Sequence, residues 1–271
     1  RAVILMGLRK YHEGSMSVMK QHEEGYAMPL SAPSYTAPPF ESTERSQILL
    51  VLYQGDRDAV AWEVPEPLEP FGDGTMLAWV GDMCQPSHTL DLYRECLTAI
   101  KVRYGDTIGW YVNFIWVAHD MALTFEREIY GWPANLCDDA RLNFHGSQIT
   151  GACTRAGEQL MRVSFNSTSV AHMGRPEPLE QKFGALLDGK FLQLRKFPAP
   201  ARDAKPIRQL LDIPTRDYTV HEIHAGNATV EMGHSGLYPT LAGLAPKEIT
   251  GAWYVRASWW LDYPVVLWDD Q

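Results

Sequence analysis

Apolar and polar residues follow a strand-like order along most of this chain, in short apolar runs or in alternation. Segment 47–53 (Gln-Ile-Leu-Leu-Val-Leu-Tyr) is apolar and β-branched and predicts a strand. Comparable segments follow at 75–80, 92–102, 110–117, 141–150, 159–166, 190–197, 207–213, 217–230 and 251–261. Their connectors are rich in Gly, Asp, Asn and Pro, and few stretches sustain a period near 3.6 residues. One that does is 56–63, a short helix with Asp56 as its cap and Ala59, Val60 and Ala61 inside, ending before Pro65 and Pro67. Many strands joined by short polar connections require a sheet that closes or doubles on itself to hide its edges. The predicted fold is mainly β with short α: an antiparallel β-barrel or double sheet. Residues 1–25 are polar and weakly patterned, with Gly7, Gly14 and Gly25 as breaks, and read as an N-terminal arm ahead of a single domain at 26–271. Pro29, Pro33, Pro38 and Pro39 give 28–40 an extended, wrapping character.

Composition narrows the partners. With 271 residues and 45% hydrophobic content the chain can bury a sizeable core. Its net charge of -9, without runs of one sign, disfavours nucleic acid and anionic membrane, which need clustered Lys and Arg. No apolar stretch approaches the roughly 20 residues that span a bilayer. The apolar run 3–8 is too short for a signal-peptide core, so a cytoplasmic protein is expected. Cys84, Cys96, Cys137 and Cys153 lack CxxC spacing and read as free thiols. His221-Glu222-Ile223-His224 lies on an alternating segment where the two histidines face opposite ways, a weak metal signal. The reading calls for no metal and no cofactor.

The most site-like stretch is Arg127-Glu128-Ile129-Tyr130-Gly131-Trp132-Pro133-Ala134-Asn135, where a charged pair, a glycine and an aromatic-proline step break an apolar run. This Arg-Glu-x-x-Gly-aromatic-Pro segment resembles the signature of the acetoacetate decarboxylase family. The run Val64-Pro65-Glu66-Pro67-Leu68-Glu69 is similar to that family as well. So are Tyr93-x-Glu95, Asp217-Tyr218-Thr219-Val220-His221-Glu222 and Pro246-Lys247-Glu248-Ile249, in order and spacing. The likeness covers roughly 26–262. It implies a cone-like antiparallel β-barrel with an interior active site, a small-molecule carbonyl or carboxylate substrate, and a homo-oligomer. It also implies that Glu95 lies in the active site, that Arg45 before the first strand binds a substrate carboxylate, and that Trp116 and Trp132 are aromatic pocket positions.

Two departures bear on function. In the family the proline is followed by two lysines, the first of which forms a Schiff base with substrate; here those positions are Ala134 and Asn135. A second family acid on the strand after Pro-Glu-Pro-Leu-Glu has no counterpart in Leu77-Ala78-Trp79-Val80. A Schiff-base mechanism needs an uncharged amine, which neither Ala134 nor Asn135 supplies. Lys101, six residues after Glu95, shares its face by period two and is a displaced candidate, or a strand-end lysine reaching solvent. Glu95 reads as a general acid or base with a raised pKa, or as a structural partner of Arg94. Arg45 reads as a carboxylate clamp, or as a surface arginine beside Glu41 and Glu44. Arg127 and Glu128 shape the loop, Arg127, Tyr93, Trp116 and Trp132 join Ala134 and Asn135 as candidate pocket residues, and His119, at a predicted hairpin turn with Asp120, is a further one. The expectation is an imine-independent lyase, dehydratase or isomerase acting on a small oxo acid or polyketide-like carbonyl compound. The alternatives are a non-catalytic binding protein and a decarboxylase or aldolase using a displaced lysine such as Lys101.

Overall fold

The computed structural model describes residues 25–86, 90–168 and 190–270. The chain divides into two compact units, 1–37 and 38–271; the predicted arm, apart from Gly25, lies outside the described residues. The described part of the first unit is non-helical but coiled into turns instead of extended. Gly25 N donates to Leu30 O at 2.8 Å, Ala32 N to Pro29 O at 2.9 Å, and the Ser34 hydroxyl to Met28 O at 2.9 Å. Proline's fixed φ suits such turns, and the Tyr26 and Tyr35 rings meet edge to face at 6.0 Å.

The second unit is built on strands β1 (Phe40–Ser42), β2 (Gln47–Gln54), β3 (Glu69–Pro70), β4 (Thr75–Gln85), β5 (Leu90–Tyr104) and β6 (Thr107–Val117). After β6 come β7 (Ala134–Leu136), β8 (Asp139–His145), β9 (Gln148–Arg155), β10 (Glu158–Ser167) and β11 (Lys190–Phe197). The last are β12 (Ile207–Ile213), β13 (Thr215–Met232), β14 (Glu248–Leu261) and β15 (Val265–Asp269). Helix α1 (Arg57–Trp62) follows β2, with the Asp56 carboxylate accepting from Asp58 N and Ala59 N as the sequence predicts. Helix α2 (Asp120–Phe125) follows β6 and runs into a π-helical turn at Glu126–Tyr130.

The strands form one sheet in the order β15-β12-β11-β6-β5-β4-β2-β14-β13-β10-β9-β8, with β1 beside β14, β3 beside β5 and β7 beside β6. Pairing is antiparallel throughout except where β6 meets β11 and β7. The predicted strand 141–150 is instead the end of β8, a turn at Gly146-Ser147 and the start of β9. Gly146 takes a φ of 63°, a left-handed turn that glycine adopts readily and that the mixed apolar and polar order of 141–150 does not separate from a continuous strand.

The sheet doubles over so that β8, β9 and β10 cover one face of β4, β5 and β6. Met76, Ala78, Val80, Cys96 and Ile100 meet Leu142, Ile149, Cys153, Val163 and Phe165 there, each fully buried aliphatic side chain contributing roughly 2 kcal/mol. The layers approach most closely at Gly151, where a Cβ would sit 2.8 Å from Val80 Cβ. Trp116 belongs to this core, stacked on Phe114 at 5.6 Å and edge-on to Tyr238 at 5.3 Å, and so is not the pocket residue the sequence led us to expect.

Strand alternation sends Trp79, Met83 and Gln85 of β4 and Tyr93, Glu95 and Leu97 of β5 to the opposite face. On β6 the register against β5 jumps from Phe114↔Thr98 to Val112↔Ala99, leaving Asn113 as an extra residue. This bulge lets Val112 and Ile115, three positions apart, point the same way.

Candidate active site

Those side chains enclose a cavity of about 70 Å³. Its floor is the β4-β5-β6 face just described; its walls are Trp132 and Phe191, and on the other side Thr215, Tyr218, Trp259 and Leu261. The walls are largely aromatic. Trp79 and Trp259 meet edge to face at 6.4 Å, Tyr218 stacks on Trp259 at 5.8 Å, and Phe191 stands edge-on to Trp132 at 6.1 Å. Tyr218 reaches this position through a bulge in β13, where the register against β14 jumps between Arg216 and Thr219 and Asp217 adopts a φ of 54°.

Glu95 is the ionisable carboxyl of the cavity, and it is 6% exposed. Burial raises its pKa from 4.5 to about 7. The Tyr93 hydroxyl and the Trp79 indole N–H oppose that shift by favouring the ionised form, Tyr93 as a hydrogen-bond donor and Trp79 Nε1 from outside good hydrogen-bond geometry. Arg94, the predicted structural partner of Glu95, points to the other face of β5 and pairs with Asp82 at 3.5 Å and Asp139 at 3.3 Å.

A second carboxyl, Glu126, was not foreseen. It opens the π-helical turn, is fully buried, and neither carboxyl oxygen has a hydrogen-bond partner. Burial and the neighbouring Glu95 push its pKa well above the carboxylate range, so it carries a proton when Glu95 is ionised. Both carboxyls, together with Tyr130, raise the Tyr93 pKa further beyond what burial does. The sequence held a signal for Glu126: Ala122, Phe125, Glu126 and Ile129 fall at i, i+3, i+4 and i+7, one helical face.

The predicted loop does shape the site. Gly131 closes the π-helical turn at a φ of 70°, and a Cβ there would lie 2.5 Å from Arg195 Cβ. Arg195 Nη1 donates to the Glu128 and Ile129 carbonyls at 3.3 and 3.4 Å, and Gln193 Nε2 to the Gly131 and Val112 carbonyls at 3.4 and 3.3 Å. Trp132 is thereby held against the cavity, its buried Nε1 without a hydrogen-bond partner. Arg127 is exposed and donates to Ala134 O at 3.1 Å. Ala134 is buried beside Ile115 on β7, and Asn135 Nδ2 turns back to Pro133 O at 2.9 Å. None of Arg127, Ala134 and Asn135 lines the cavity.

Other candidates lie elsewhere. Arg45 is exposed on the turn between β1 and β2, away from the cavity lining. His119 begins α2 instead of turning a hairpin, its Nδ1 accepting from Met121 N at 3.2 Å. Lys101 Nζ lies over the Phe71 ring at 5.7 Å, and Lys247 pairs with Asp56 at 2.6 Å. Among the described residues no lysine lines the cavity. His221 and His224 bind Ser258 Oγ and Glu222 respectively, and the described residues contain no cluster of potential metal ligands. None of the four cysteines forms a disulfide. No described helix is long and apolar enough to cross a membrane.

Known proteins share this architecture. The chain is 28% identical over 244 residues to an acetoacetate decarboxylase of Clostridium beijerinckii, covering 89% of this chain and 93% of that one. To the Clostridium acetobutylicum enzyme it is 24% identical over 242 residues, 89% and 94% of the two chains. The crystal structure of acetoacetate decarboxylase from Legionella pneumophila superposes with a TM-score of 0.77 at 21% identity, over 92% of this chain and 98% of that one. The enduracididine biosynthesis enzyme MppR, complexed with the condensation product of pyruvate and imidazole 4-carboxaldehyde, gives 0.75 at 20% identity, over 91% and 97%. An acetoacetate decarboxylase-like enzyme from Sphingomonas wittichii gives 0.76 at 19% identity, over 90% and 99%. The acetoacetate decarboxylase (ADC) family profile matches residues 27–270, and the chain belongs to that family.

Proposed function

We propose that this protein is an acid–base enzyme of the lyase, dehydratase or isomerase type that moves a proton at the carbon next to a substrate carbonyl, without forming an imine. The observation that carries this is Glu95, a carboxyl with a pKa of about 7 facing an aromatic cavity that no described lysine lines. A base is most effective when its pKa lies near the working pH. The carboxylate takes the α-proton, the C–H pair moves into a carbon–carbon double bond, and the oxygen becomes an enolate or enol. The Tyr93 hydroxyl donates its one proton to Glu95, and the Trp132 N–H, buried without a partner, is the donor for that oxygen, in a setting where fixed donors act strongly. Returning the proton at the same carbon gives exchange; returning it elsewhere, or expelling a β-substituent, gives isomerisation or elimination. Decarboxylation of acetoacetate itself is a poorer fit, because the described lining residues offer no amine to build the imine that would accept the electron pair left by carbon dioxide.

The test is solvent deuterium uptake at the α-carbon of a ketone, followed by NMR. Wild type is expected to catalyse uptake at a rate that rises with pH through about 7, as Glu95 loses its proton. Glu95→Gln should lower it by at least ~100-fold with the fold intact by circular dichroism. Full activity in that variant, or a borohydride-trapped lysine adduct in wild type, would sink the proposal.

A further inference from the structure

Charge balance in the cavity restricts what that base can act on. Among the described lining residues Glu95 is joined by no Lys, Arg or His. The nearby cations are committed: Arg195 to the Glu128 and Ile129 carbonyls and to Gln209, Arg216 to Asp217 and Asp262, and Arg94 to Asp82 and Asp139. A substrate carboxylate entering here would lose its water, find no counter-charge among the described lining residues, and stand near another carboxylate. Uncharged polar atoms are present instead. Trp132 Nε1 is a buried donor without a partner, and Gln85, whose Nε2 donates to Ser42 Oγ at 3.1 Å, keeps a buried Oε1 with none. Around them stand the rings of Trp79, Trp259, Tyr218 and Phe191.

We infer that the cavity takes a small uncharged carbonyl compound, its oxygen bound by the Trp132 N–H and its short apolar part held among the aromatic walls, and that it rejects oxo acids. This rests on the acid–base reading of Glu95 and narrows its substrate. A short alkyl group gains from the desolvated walls, and a ketone oxygen needs only a neutral donor. The titrating groups that act on Glu95 or on its partner are Tyr93 on its own strand, Glu126 from the π-helical turn, and Tyr130, which acts on Tyr93, so the ionisation of Glu95 governs the charge of the cavity.

The matched probes are 2-butanone and 2-oxobutanoate, which share an ethyl ketone unit and differ by a carboxylate in place of a methyl. Binding is followed by calorimetry and by tryptophan fluorescence at pH 6 and pH 8. The ketone is expected to bind at least 10-fold more tightly than the acid at pH 8, with the gap narrowing at pH 6 and narrowing at pH 8 in Glu95→Gln. Trp132→Phe, which keeps a ring and removes the donor, should weaken ketone binding several-fold. Equal or tighter binding of the acid at pH 8, or no binding of the ketone, overturns the inference. The two failures are separable. If the acid is preferred yet its α-proton exchange depends on Glu95, the substrate class is wrong and the acid–base reading stands. If the ketone is preferred but neither probe exchanges, the reverse holds.

Discussion

Replacing Glu95 by Gln should stabilise the protein at alkaline pH. The unfolded chain releases this proton near 4.5, whereas the folded chain holds it until about 7. The folded pKa is therefore raised, and between those values the unfolded state carries fewer protons, so stability falls as pH rises and stays reduced above 7. The difference of 2.5 pH units corresponds to about 3 kcal/mol. Gln keeps the shape and removes the charge. Urea denaturation followed by tryptophan fluorescence, on wild type and variant at pH 5 and pH 8.5, gives the comparison. The variant is expected to exceed wild type by about 3 kcal/mol at pH 8.5 and by less than about 1 kcal/mol at pH 5. Glu126, held protonated by burial and by Glu95, adds to the gap in the same direction. A variant no more stable than wild type at pH 8.5, or a gap that does not change with pH, would refute the assignment of a strained carboxylate. The gain in stability should coincide with the loss of proton exchange, the pattern expected when strain at a site serves its chemistry.

Two backbone positions give further expectations. Gly131→Ala combines a left-handed φ of 70° with a contact 2.5 Å from Arg195 Cβ, so it should cost at least ~2 kcal/mol and weaken ligand binding by displacing Trp132; an unchanged melting temperature would contradict the close packing described for that turn. Gly151→Ala places a methyl 2.8 Å from Val80 Cβ and should cost roughly 1–3 kcal/mol in chemical denaturation while leaving ligand affinity unchanged, because it separates the layers on the core side of β4; a loss of affinity equal to that of Gly131→Ala would argue against that division.

The strands were legible because their buried faces impose a period of two, and β2, β11 and β12 match the prediction to within a residue. Length and closure hid the rest. In β8–β9 a mixed polar and apolar stretch continues across the turn at Gly146-Ser147, and β15 at Val265–Asp269 is an edge strand with exposed Val265, Val266 and Leu267, so no core pattern announces it. At the site, Tyr93, Glu95 and Trp132, singled out in the sequence, line the cavity. Trp79 was noticed for lacking a carboxylate, not as a wall, and Trp259, Tyr218 and Phe191 come from distant strands whose meeting depends on how the sheet doubles. Arg45 and Trp116 are absent from that lining for a related reason. A resemblance transfers positions along a chain, whereas a bulge or a turn decides which way each side chain points.

The strands β4, β5 and β6 carry the packed core on one face and the cavity floor on the other. Any ligand too bulky for the floor would have to push Trp79 or Ile115 into a layer already in contact at Gly151 and Val80, which is nearly incompressible. The wall opposite behaves otherwise. Thr215 is exposed and Tyr218 hangs from a bulged stretch of β13, where the ladder to β14 is interrupted and the backbone has fewer bonds to hold it. The cavity is thus stiff beneath the reacting carbon and compliant over the substrate's tail: strict about where the α-proton sits and tolerant of what is attached behind it.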